Sequence, residues 1–188
     1  MLTRRGFTLV EIMVVMSIIA ILALLGVSAL LGINNANMVD KATEEIVTDI
    51  RDSQNKAISV ANATATVIPV AWGYQINPST KQVTPFYIET GAFTKKDLDT
   101  TTYGQMDSIT INGADNPIYI IYAAPFGKFF ATSVAPNGWT NNWSYSPVRP
   151  KDAILSVASE TYPININLSY RNNTKTITIA ENGDVYAQ

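Results

Sequence analysis

A single glutamate, Glu11, stands in RRGFTLVEIMV at residues 4–14, with two arginines and a glycine before it and an apolar run behind it. A carboxylate in such surroundings invites one kind of chemistry. It must attract a cation, because a charge held away from water is costly unless paired. Other candidate groups are sparse. Asp97 and Asp99 stand two apart in KKDLD, where carboxylate oxygens could meet calcium. The stretch lacks the glycine-centred spacing of a calcium loop, so a solvated loop without metal is expected. Trp139, Trp143 and Tyr145 cluster in GWTNNWSYS, and Arg149 follows; Arg171 and Lys175 lie further on. Aromatic faces beside cations can stack bases or sugars, although packing or subunit contact uses the same residues. Asp107, Asp115 and Asp184 read as turn residues.

The composition excludes much else. The 188 residues contain no cysteine and no histidine. Disulfides, Cys/His zinc sites, thiol nucleophiles and Ser-His-Asp triads are therefore impossible. Side-chain acid–base chemistry is left to carboxylates, lysines and tyrosines, and a non-enzymatic chain without cofactor is expected. The net charge of −2 gives no general attraction to nucleic acid.

The element that must hold Glu11 is a helix. Ile12 to Ile33 carries no charge, and its length exceeds the ~20 apolar residues that cross a bilayer. Arg4 and Arg5 precede it, and no positive charge follows until Lys41. The positive-inside rule then places the N-terminus in the cytoplasm and the remainder outside. A cleaved secretory signal could end in VSA at 27–29, but the run is long for one. A plain anchor leaves Glu11 unexplained. Gly26 and Gly32 interrupt the run; they suit either close helix packing or a segment able to stretch.

Past Ile33 the pattern turns amphipathic. Val39, Ala42, Ile46, Ile50, Ala57 and Ala61 recur at helical spacing, with Glu44, Asp49, Asp52 and Lys56 largely elsewhere. With no proline before Pro69, one helix is predicted from about Phe7 to about Ala61. Strands are predicted at 64–72, 83–89, 108–112, 117–124 and 128–134, in a hairpin formed by INLSYR and KTITIA around NNT, and in VYA after the ENGD turn. The stretches TGAFTKKDLDTTTYGQ and APNGWTNNWSYSPVRPKD read as loops. The expected architecture is α+β, a long N-terminal helix packed on an antiparallel sheet head.

RRGFTLVEIMVVMSIIAIL closely resembles the N-terminus of type IV prepilins and pseudopilins, with Gly, Phe, Thr, Leu and Glu at the family's spacing. The resemblance implies cleavage by prepilin peptidase after Gly6, N-methylation of Phe7, and assembly through Glu11 with the new amine of Phe7 on a neighbouring subunit. It divides the chain into a leader at 1–6, a transmembrane or filament-core half-helix at 7–33, an amphipathic half at 34–62 and an extracytoplasmic β-rich head at 63–188.

EEIVTDIRDSQNKAISVANATATV and the ending ENGDVY resemble the pseudopilin H and FimT-like minor pilins. The cysteine pair of many major pilins is absent. The resemblance implies a structural filament subunit, a minor pilin or pseudopilin, with a major pilin or a DNA- or glycan-binding head as the alternatives. Its implied partners are other pilin subunits, prepilin peptidase, the inner-membrane assembly platform and membrane lipid before assembly. DNA binding has weak support, because the chain ends acidic and Arg171 and Lys175 are few.

Overall fold

A computed structural model describes residues 8–64, 66–89, 94–133 and 162–188. Its long helix, α1, runs from Leu9 to Ile58, 50 residues and about 75 Å. It starts where Thr8, in an extended conformation, accepts a bond on its side chain from the Glu11 N–H at 3.3 Å. The helix continues through Gly26 and Gly32 unbroken. It ends three residues before the predicted Ala61. There Val60 turns to φ 52°, the Ala61 N–H bonds the Lys56 carbonyl at 2.9 Å, and the Val60 N–H bonds that of Ala57 at 3.3 Å. This is a Schellman stop built on a β-branched residue instead of glycine, so the sequence carries no punctuation to mark it.

The predicted stripe packs as expected. Val39, Ala42, Ile46, Ile50 and Ala57 are buried, and Ala61 packs beside them just past the helix. Val47, Thr43 and Ser53 are buried too, which widens the buried face beyond the apolar residues counted from sequence. Thr43 keeps its hydroxyl satisfied on the Val39 carbonyl, 2.8 Å away.

Two antiparallel sheets cover this half of the helix. The first contains β1 (Ala71–Asn77), β2 (Gln82–Ile88), β3 (Lys95–Asp97), β4 (Thr101–Thr102), β6 (Ile118–Ala123) and β7 (Lys128–Thr132), in the order β3-β2-β1-β6-β7 with β4 also on β2. The second is β10-β9-β8-β5, from Val185–Ala187, Asn173–Ile179, Ile164–Tyr170 and Ser108–Ile111. Along the chain the strands switch sheets three times and finish in the second. One core joins α1 to the inner faces of both sheets, with Trp72, Tyr74, Ile76, Ile120 and Tyr122 from the first, and Ile166, Leu168, Ile177 and Ile179 from the second.

The first strand departs from expectation. The described residues of 64–70 hold no strand beyond an isolated bridge between Thr64 and Val67, and Ile68 is 54 % exposed. Pairing starts at Ala71 and runs on through Gly73–Asn77, because Tyr74 and Ile76 have a helix to pack on and Ile68 does not. β-branched residues marked the wrong half of this segment. The predicted loop at 90–105 also contains β3 and β4. They pair with β2 on either side of Pro85, which has no N–H to give an edge partner.

The outer face of the first sheet holds a second, smaller cluster: Ala71, Phe86, Ile88, Tyr119 and Ile121. Gly73 makes it possible. A Cβ there would lie 2.7 Å from the Ile120 carbonyl oxygen and would overlap the Phe86 ring, which lies across the glycine. Lys95, its side chain only 8 % exposed, holds its ammonium 5.2 Å from the Phe86 ring centre and pairs with Asp97.

Candidate functional site

The exposed half of α1 is the most unusual surface among the described residues. Its apolar residues from Leu9 to Ile33 stand free of the head, Leu9 being 75 % exposed and Ile33 59 %. An 18-residue window there has a mean hydropathy of 2.8 with none of it buried. From Leu9 to Ile33 the helix is about 36 Å long, enough for a hydrocarbon layer of ~30 Å. By length and composition it can cross a membrane. Ser17 costs little in such surroundings, since its hydroxyl bonds the Met13 carbonyl at 2.8 Å.

Glu11 sits in the first turn of this helix. Thr8 and Glu11 hold the first and last positions of a Ser/Thr-x-x-Glu capping signature. A carboxylate in a first turn also meets the positive end of the helix dipole. Sequence reasoning read Glu11 for its charge alone and missed this local use, although TLVE spelled it out.

The head is fixed to the C-terminal, polar half of α1 by polar contacts as well as burial. The Tyr74 hydroxyl donates to Asp49 at 2.8 Å, and Arg51 donates to the Val185 carbonyl at 2.7 Å. Lys175 pairs with Asp40 at 3.2 Å, and the Lys56 ammonium lies 5.2 Å from the centre of the Trp72 ring. The helix charges off the apolar stripe therefore do two jobs. Asp52 and Lys56 form an exposed pair at 2.6 Å, whereas Asp49 and Arg51 reach the head. Burial, reinforced by Asp49, pushes the Tyr74 hydroxyl pKa far above its ordinary value. Burial raises Tyr103 as well, with Glu45 and Asp49 nearby, and raises Tyr122 beside Asp184.

The remaining predicted site residues that are described do not converge. Gly6, Phe7, Trp139, Trp143, Tyr145 and Arg149 lie outside the described residues. Lys175 points inward to Asp40, while Arg171 caps the β8–β9 hairpin with its guanidinium 5.3 Å from the Tyr170 ring centre. Asp97 is paired with Lys95, and no group of three His, Cys, Asp or Glu that could hold a metal occurs among the described residues. Asp107 accepts a bond from the Arg171 N–H, and Asp184 closes the β9–β10 turn with Asn182.

With this geometry in place, comparison with known proteins settles what the N-terminal segment is. Residues 1–27 match the prokaryotic N-terminal methylation motif. That motif is the type IV pilin signal, and it supports a type IV pilin-like or pseudopilin subunit. It also implies assembly with other pilins and processing by prepilin peptidase. No curated protein and no solved structure matches the chain. The pilin-like layout, one long N-terminal helix and an antiparallel β head, is the architecture described above.

Proposed function

We propose that this chain is a structural subunit of a type IV pilus-like or type II secretion pseudopilus filament, specifically a minor pilin or pseudopilin of the H or FimT-like kind. Prepilin peptidase cuts after Gly6, and Phe7 becomes the methylated N-terminus. The helix anchors the subunit in the membrane with its head outside until the assembly platform draws it into the filament. Glu11 then takes the amine of a neighbouring subunit's Phe7. A contact of this kind is head-to-tail, and repetition without closure builds a helical filament.

One observation carries this reading. A long apolar helix, matched by a methylation motif, projects free of its own head and bears a lone carboxylate in its first turn. The large apolar side chains described along it are exposed, and identical helices would bury them. Lys175 is spent on Asp40, which leaves the hairpin a poor cationic footprint for nucleic acid.

Intact mass of the protein from membranes and from sheared surface filaments tests the proposal. The expected mass lacks residues 1–6 and gains one methyl in both fractions, with a low share in filaments if the subunit is minor. A full-length mass confined to membranes would refute it.

A further inference from the structure

The level of the β8–β9 loop against the helix can be placed by register alone. Lys175 of β9 meets Asp40 of α1, and Arg51 meets Val185, which lies opposite Ile179. From Asp40 to Arg51 the helix climbs about 16 Å, and from Lys175 to Ile179 the strand covers about 13 Å. β9 therefore runs nearly along the helix axis. Its hairpin loop, Arg171 and Asn172, drops about 10 Å below Lys175. Ile33, the last residue of the apolar run, lies about 10 Å below Asp40. The loop and the end of the membrane-crossing segment stand at one level.

The loop's chemistry suits that level. Arg171 is exposed, and its guanidinium lies over the half-buried Tyr170 ring. No acidic side chain pairs with that guanidinium among the described residues; Asp107 takes only the Arg171 backbone N–H. Arg171 also adopts φ 53° in a two-residue loop, a conformation that favours glycine and strains a side chain. Backbone strain held at an exposed arginine invites a functional reading. Guanidinium groups bind phosphate in bidentate fashion, and tyrosine collects at the membrane–water boundary.

We propose that the β8–β9 loop rests on the lipid headgroups where α1 leaves the membrane. Arg171 binds lipid phosphate and Tyr170 lies at the boundary, which fixes the tilt of the helix and its packed head against the membrane before assembly. This rests on the membrane-anchored reading above.

The chain has no cysteine, so single labels are clean. Asn172→Cys and, at the far end of the helix, Ser59→Cys carry a fluorophore in the full chain, reconstituted in vesicles containing phosphatidylglycerol and a headgroup-nitroxide quencher lipid. Quenching at Asn172→Cys is expected to exceed that at Ser59→Cys several-fold and to weaken with salt. Adding Arg171→Gly, which relieves the backbone and so spares the fold, should lower the ratio of docked to undocked heads about fivefold. Equal quenching at both positions, or no response to Arg171→Gly, in chains that resist alkaline carbonate extraction would overturn the inference alone. Chains stripped off by carbonate would overturn the membrane reading with it.

Discussion

At the residue scale Glu11 has two separable uses. Its position three residues past Thr8 supports the start of α1, and its charge is available to a neighbour's amine. Glutamine keeps the capping signature and removes the charge. Glu11→Gln should therefore leave helix content in micelles unchanged while filament yield in sheared fractions collapses. Glu11→Ala should lose filaments and also weaken the first turn by about 0.5–1 kcal/mol. Wild-type filament yield from Glu11→Gln would show that the charge is not what assembles the subunit.

At the element scale the first sheet depends on a glycine that carries no chemistry. Gly73 lies under the Phe86 ring and against the Ile120 carbonyl, so a methyl group forces both strands apart. Gly73→Ala should destabilise the head by about 1–3 kcal/mol, read as a lower denaturation midpoint with unchanged slope. Gly73→Ala with Phe86→Leu should recover part of the loss, since the smaller side chain makes room. Nothing in the residues around Gly73 announces this. A glycine inside a strand pattern hints at a close approach, yet the approaching ring belongs to the next strand over. β3 and β4 were hidden for a related reason. Short polar strands such as Lys95–Asp97 show no apolar alternation, and only the edge of β2 gives them a partner. The helix stripe, by contrast, was readable because one long amphipathic element repeats its signal over several turns.

At the scale of the whole molecule, helix and sheets are fastened through buried tyrosines. Tyr74 and Tyr122 are fully buried, bonded to Asp49 and to the Gly183 carbonyl, and their pKa values lie well above the ordinary 10.0. In the unfolded chain each ionises near that ordinary value. Below about pH 10 the folded and unfolded states bind these protons equally, and stability is complete. Above it the unfolded state releases protons that the folded state retains, so stability falls by about 1.4 kcal/mol per pH unit for each such tyrosine. Chemical denaturation in micelles from pH 8 to 12 should show a plateau and then a steep decline. Tyr74→Phe should make the decline shallower. An unchanged slope would mean that Tyr74 ionises within the fold.

Sequence by itself determined the parts of this protein whose physics is local. A long uncharged run must be a helix out of water, a carboxylate at its head needs a cation, and a repeating apolar stripe needs a cover. The N-terminal methylation motif belongs to this local information. The tertiary structure decided what depends on partners distant in the chain. It divided the strands into two sheets, moved β1 from 64–72 to Ala71–Asn77, made Asp49, Arg51 and Lys175 into helix–head fastenings, and brought the Arg171 loop to the level of Ile33. Each of these is a choice among strand pairings and side-chain partners that are comparable in local propensity. Only packing against the rest of the molecule separates them.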